Sequence, residues 1–303
     1  MKNDKCDACL MFFYYLCAEF LRMRVKYIYI IFVMVAVLLS GCAKEFNAVY
    51  KSNDYLYKYE YAKTCFVEGK FSQASVLLGD LVTIMKGTTK GEECLFLYAV
   101  ATYRNGDYDS ASEIFKKYST SYPQGVFAEE ASYFVGESLY NTVPEPRLDQ
   151  TPTYAAMKAY QDFMDMYPES AHRKVAEQKL YELQDILVKK ELINAQLYYN
   201  LGTYFGNCTS GGNNYDACIV TSQNAIKEYP FSKYREEFAS LIMKSKYALA
   251  YHSVHAKQSE RYQDAEDECY GFINEYPDSK DRQLAEKYIE KCKRFIKDGL
   301  QEE

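Results

Sequence analysis

Five times along the chain, side chains recur at steps of 4, 3 and 4. The stripes are Ala74, Leu78, Leu81, Met85; Ala111, Phe115, Tyr118, Tyr122; Ala156, Tyr160, Phe163, Tyr167; Cys218, Ser222, Ala225, Tyr229; and Ala265, Cys269, Phe272, Tyr276. An α-helix makes a turn every 3.6 residues, so each stripe lies on one helix face, with mainly polar residues filling the steps between. Four stripes close on a Tyr-Pro pair, at Tyr122, Tyr167, Tyr229 and Tyr276. Proline cannot donate the next helical hydrogen bond and disfavours helical geometry in the residue before it, so each pair marks a helix end. An aromatic residue stands three positions ahead of four stripes, at Phe71, Tyr108, Tyr215 and Tyr262. Turns such as "EGKFSQA" and "NGDYDSA" precede them, with Gly69 and Gly106 placed for a left-handed helix end. After the proline, "YPES", "YPFS" and "YPDS" offer Ser or Asp as a cap for the following helix.

The unit is helix, turn, aromatic, helix, proline, and it resembles a tetratricopeptide repeat. Phe71 to Tyr108 spans 37 positions, near that repeat's usual period. The later Tyr-Pro spacings are 45, 62 and 47. The first excess matches the loop over 141–152, and the 62 leaves room for one additional helix over 170–187. First helices are expected near 52–68, 91–104, 125–140, 189–206 and 232–256, and second helices near 71–86, 108–121, 153–167, 215–229 and 260–276. A last helix carries Leu284, Ala285, Tyr288, Ile289, Cys292 and Phe295 on one face and would cap the stack. The expected fold is therefore all-α, a superhelical solenoid of about five pairs plus one intervening and one C-terminal capping helix. A seam near 168–188 would hinge two halves, 51–168 and 169–298.

The N-terminal region follows a different pattern. Arg22, Arg24 and Lys26 precede an apolar run of 13 residues, Tyr27 to Leu39, too short to span a bilayer well. A basic start, a short apolar core and a small-residue exit make a secretory signal. The exit, Leu39-Ser40-Gly41-Cys42, resembles a bacterial lipobox, so Cys42 is expected to be lipidated after removal of 23–41, an ordinary signal with an incidental cysteine being the alternative. Residues 42–50 are then a tether. A signal belongs at the start of its chain, so Met23 reads as the true start, with 1–22 lying upstream. Within those residues Cys6 and Cys9 have redox or zinc spacing but no further ligands.

Composition narrows the function classes. A net charge of −6 argues against a nucleic-acid binder. Thirty-two tyrosines with no tryptophan suit thin two-layer helical walls, and equally a binding groove. Of the cysteines after Cys42, most sit on helical stripes and read as small buried residues. Cys208 and Cys218 instead flank the loop "TSGGNNYDA" and are candidates for a disulfide in an oxidising compartment, two free thiols being the alternative. His172, His252 and His255 are the only histidines, and no metal or nucleophile pattern surrounds them. No cofactor or catalytic residue is expected. On the first helices of the N-terminal repeats, Tyr55, Tyr59, Tyr98, Tyr103, Arg104 and Tyr133 are candidates for holding an extended peptide, with packing between helices as the competing explanation.

A lipobox followed by such repeats resembles the BamD (ComL) family of outer-membrane lipoproteins. "RLDQTPTYAAMKAYQDFMDMYPES", with Arg147, Asp149 and Gln150, resembles the family's third repeat. "ILVKKELINAQLYYNLGTYFGN", with Tyr198-Tyr199, resembles the next, while the turn "NCTSGGNNYDAC" is longer than the family pattern. The resemblance implies a non-enzymatic scaffold of the β-barrel assembly machinery, lipid-anchored to the outer membrane and facing the periplasm. Its implied partners are BamA POTRA domains for the C-terminal half and unfolded outer-membrane proteins for the N-terminal half. The alternatives are a repeat scaffold for other envelope or division proteins and a glycan-binding surface lipoprotein.

Overall fold

A computed structural model describes residues 45–204 and 213–299. The signal, Cys42 and Cys208 lie outside the described residues. Among those described there is no strand. Residues 45–50 are helical, and eleven helices follow: α1 Tyr55–Val67, α2 Phe71–Ile84, α3 Gly91–Arg104, α4 Tyr108–Ser121, α5 Ala128–Asn141, α6 Thr151–Met166, α7 Arg173–Leu201, α8 Asn214–Glu228, α9 Arg235–Tyr251, α10 His255–Glu275 and α11 Arg282–Gly299. In the first unit α1, α2 and α3 pack in succession, and in the second α5 through α11 do, while α1 on α3, α5 on α7 and α7 on α9 touch at one remove, as stacked helix pairs do. The fold is all-α and tetratricopeptide-like. None of these helices is long and apolar enough to cross a membrane.

The stripes account for the core. Ala74, Leu78, Leu81, Ala111, Phe115, Tyr118, Ala156, Tyr160, Phe163, Cys218, Ser222, Ala265 and Cys269 are fully buried. The turns also follow the sequence. Gly69 and Gly106 adopt φ of 75° and 86° and close the paired carbonyl-capping bonds of a Schellman end. Lys70 N donates to Cys65 O and Gly69 N to Phe66 O, while Asp107 N donates to Thr102 O and Gly106 N to Tyr103 O. The tyrosines before proline at 167, 229 and 276 share one geometry, φ between −124° and −127° and ψ of 67–68°.

The serines after those prolines do not cap a helix by side chain, as the sequence suggested. Ser170, Ser232 and Ser279 accept at Oγ from the backbone N–H two residues on, and the helices begin three residues on, at Arg173, Arg235 and Arg282. Each arginine folds back on the turn, donating to Met164 O, Pro230 O and Pro277 O respectively.

The chain divides into two compact units, the first ending at Ile114 and the second beginning at Phe115, within α4. The first unit's core joins Val49, Tyr59, Ala62, Leu77, Leu78, Leu81 and Cys94. The second carries successive clusters about Tyr160 and Phe163, Val188 and Phe238, Met243 and Phe272, and Tyr262 and Cys292. Within the seam near 168–188, the turn after Met166 leads into one long helix. Helices drawn at 170–187 and 189–206 are one helix, α7, of 29 residues. No glycine or proline interrupts it, and Leu183, Leu187, Val188, Leu192 and Ala195 keep one buried face running through the drawn boundary.

Candidate functional site

In the first unit the aromatic candidates separate by burial. Tyr59 has no exposed surface, so it cannot touch a bound peptide in this conformation. Its ring lies 5.5 Å from Lys63 Nζ and 5.0 Å from Lys90 Nζ. These lysines pair across α1 and α3, Lys63 with Glu93 and Lys90 with Glu60, each at 2.8 Å. Burial, with Glu93 beside it, holds the Tyr59 phenol far above its ordinary pKa. Tyr98 is half-buried with its ring edge over Gly79 of α2. Tyr103 meets Tyr108 edge-on at 5.3 Å, and Arg104 is exposed in the last turn of α3. Tyr55 is exposed at the start of α1. Tyr133 belongs to the second unit and is buried: it stacks on His172 at 4.4 Å and donates to Glu137 at 2.8 Å. Tyr59 and Tyr133 are thus core residues, because their phenyl bodies fill the helix interfaces.

One concavity in the second unit was not legible in the sequence. It is a groove of about 920 Å³ between α7, α9 and the turn before α11. Its floor is apolar: Leu192, Ile193 and Leu197 from α7, and Leu241 from α9. Leu197 is 53% exposed, so apolar surface there is open to a partner. Arg147 and Lys189 stand on one side, and Glu236 and Glu237 are on α9.

Local structure explains how Arg147 reaches this rim. The loop between α5 and α6 is tied from beneath by Gln150, which is 2% exposed. Gln150 Nε2 donates to Glu145 O and Leu148 O, and its Oε1 accepts from Thr153. Lys190 of α7 donates to Leu148 O from the other side. The insertion is therefore an ordered shelf. Arg147 and Glu237 have no hydrogen-bond or ion-pair partner among the described residues. Three other rim charges, Asp281, Lys244 and Glu236, are engaged. Asp281 accepts from Ser240 at 2.5 Å and Lys244 at 2.8 Å, and Glu236 accepts from Ser279 at 2.7 Å. Burial works to raise the Asp281 pKa, but those two donors outweigh it and hold the carboxyl below its usual range. Such a groove offers apolar contact along its length and opposite charges to orient what lies in it.

Other candidates fall elsewhere. Cys218 is a buried free thiol on α8, and its candidate partner Cys208 lies outside the described residues. His252 stacks on Tyr215 at 6.0 Å, and no three His, Cys, Asp or Glu among the described residues are grouped as metal ligands.

Stacked helix pairs with an open, amphipathic groove define a helical-repeat protein of the tetratricopeptide kind. The chain belongs to the YfiO family of outer membrane lipoproteins, whose model matches residues 51–209, covering α1 through α7. It is similar to the outer membrane protein assembly factor BamD of Xylella fastidiosa (strain 9a5c), 26% identical over 176 residues. That match takes in 54% of this chain and 59% of the relative, under two thirds of its length.

Proposed function

We propose that the chain is a lipid-anchored scaffold of the β-barrel assembly machinery, holding BamA through its POTRA domains and receiving unfolded outer-membrane proteins. The observation that carries this reading is the family match through α1–α7, which includes the Arg147 shelf and one wall of the groove. The lipid on Cys42 holds the chain at the periplasmic face of the outer membrane. The second-unit groove is the seat of the POTRA partner: its apolar floor supplies contact area, and Arg147 and Glu237 supply orienting charges that have no partner among the described residues. In the first unit Tyr98, Tyr103 and Arg104 are the surface for clients, where aromatic rings and a cation suit a strand ending in an aromatic residue and a carboxylate. Scaffolding needs no cofactor.

The test is crosslinking in native membranes followed by capture of this chain. BamA is the expected major partner, and a Leu197→Glu, Arg147→Glu double variant should lose it while remaining folded by circular dichroism. Recovery of division or peptidoglycan proteins without BamA would replace this reading with that of a different envelope scaffold.

A further inference from the structure

We propose that the first turn of α1, together with Tyr50, is a membrane-contact tip seated in the headgroup layer of the bilayer that carries the chain's anchor. The proposal rests on the reading of Cys42 as the lipidated residue.

The observation is a break in amphipathicity. Tyr55, Leu56 and Tyr57 are consecutive, and they are 44%, 55% and 52% exposed. Farther along the same helix the pattern is regular, with Tyr59, Ala62 and Cys65 buried. Three adjacent apolar side chains point in three directions around a helix, so no single neighbouring helix can cover them. A surface built only for water interrupts such a run with charge. Tyr50 adds a fourth exposed apolar group, 41% exposed, and its ring lies 5.4 Å from Lys58 Nζ at the start of α1.

Chain connectivity identifies the occupant. Residues 45–50 are helical, and three residue steps separate 42 from 45. At about 3.5 Å per extended residue and 1.5 Å per helical one, Tyr50 lies within about 18 Å of residue 42. A lipid at 42 therefore keeps the membrane at high effective concentration beside this tip, an advantage that a freely diffusing partner lacks. The side chains suit a headgroup layer, where tyrosine places its ring toward the acyl chains and its hydroxyl in water. Nearby charges nearly cancel: Glu45, Lys51 and Asp54 flank the tip, and Lys58 pairs with Asp80 at 3.8 Å. Attraction is then through apolar insertion, and the fitting surface is zwitterionic lipid.

The chain has no tryptophan, so Tyr57→Trp creates a single reporter. Residues 42–303 with Cys42→Ser and an N-terminal histidine tag are docked to phosphatidylcholine vesicles through a nickel-chelating lipid, with bromine on the acyl chains. The reporter at 57 is expected to shift to the blue and to be quenched several-fold more than one made by Val67→Trp. That position is 85% exposed at the other end of α1, about 15 Å along the axis. Adding phosphatidylglycerol should leave the difference unchanged. Equal quenching at both positions, or none, overturns the proposal. So does a blue shift without vesicles that grows with protein concentration, which assigns the tip to a second copy. The tag replaces the lipid, so this outcome is independent of acylation. Acylation is read separately from the intact mass of membrane-extracted protein, wild type against Cys42→Ala.

Discussion

At the scale of single residues, free space decides signs. A Cβ at Gly136 would sit 2.7 Å from the Tyr160 ring, which is fully buried and hydrogen-bonded to Glu137 at 2.8 Å. The ring cannot retreat, so Gly136→Ala should lower stability by about 1–3 kcal/mol, as overpacking does. At Gly271 nothing lies within 4 Å. Gly271→Ala should therefore gain the helix propensity of alanine, about 0.5–1 kcal/mol. Gly79, with the Tyr98 ring at 3.3 Å, should fall between them. Urea midpoints of the three variants check the order. Asp281 supplies a second residue-scale prediction. Its folded pKa is depressed, so its contribution is present above the unfolded carboxyl pKa and is lost as pH falls through the folded one. Asp281→Asn should cost about 1–3 kcal/mol at neutral pH, since it weakens the bonds from Lys244 and Ser240. The gap to the parent should then close as pH falls below about 4, measured by urea titration across that range.

At the scale of elements, most of the fold was legible because burial is written in periodicity. Stripes such as Ala111, Phe115, Tyr118 have to face inward, and Gly69 and Gly106 have to sit where φ is positive. What could not be read were facts of assembly. The spacing of 62 between Tyr167 and Tyr229 announced an additional helix's worth of chain, but not that it would fuse with the next one. Likewise "VPEPRLDQ" reads as an insertion, and only Gln150 bonding to Glu145 O and Leu148 O turns it into a shelf for Arg147. Tyr59 and Tyr55 have the same composition and neighbouring positions, yet one is core and the other surface, because packing of α1 on α2 and α3 covers only one of them. Continuity of α7 is testable. Lys189→Pro should cost about 3 kcal/mol or more by deleting a helical hydrogen bond at the expected seam. Lys189→Ala, which keeps the helical hydrogen bond and removes the side chain whose ammonium lies 4.9 Å from the Tyr234 ring, should cost far less. Equal, small effects in thermal melts would restore the hinge.

At the scale of the whole molecule, the tyrosine-rich, tryptophan-free composition gives the chain an unusual dependence on alkali. Two-layer helical walls bury small thiols and the rings of tyrosines without room for water at every polar tip. Burial pushes the thiols of Cys94, Cys269 and Cys292 up to about 12, and the phenols of Tyr229, Tyr262 and Tyr288 to about 12 as well. The folded pKa is raised in each case, so the unfolded chain releases its protons first as pH climbs. Stability is then whole below the unfolded values, about 8.5 for thiols and 10 for phenols, and is lost progressively as pH rises toward the folded ones. The urea midpoint should be level from pH 7 to about 8 and fall steeply above about 9. The thiol share can be isolated, because thiols ionise in the unfolded chain before phenols do. Replacing Cys94, Cys269 and Cys292 by alanine should flatten the curve between about pH 9 and 10 and leave the steeper fall above it. Cys94 lies in the first unit and Cys269 and Cys292 in the second. Single replacements followed by unit-specific probes, a reporter at 57 for one and near-ultraviolet tyrosine dichroism after removal of the other unit's thiol for the second, would therefore show both units softening in alkali for the same reason. A midpoint that stayed level to pH 11 would mean that these groups ionise in place, and that the helix interfaces admit water where the packing closes them.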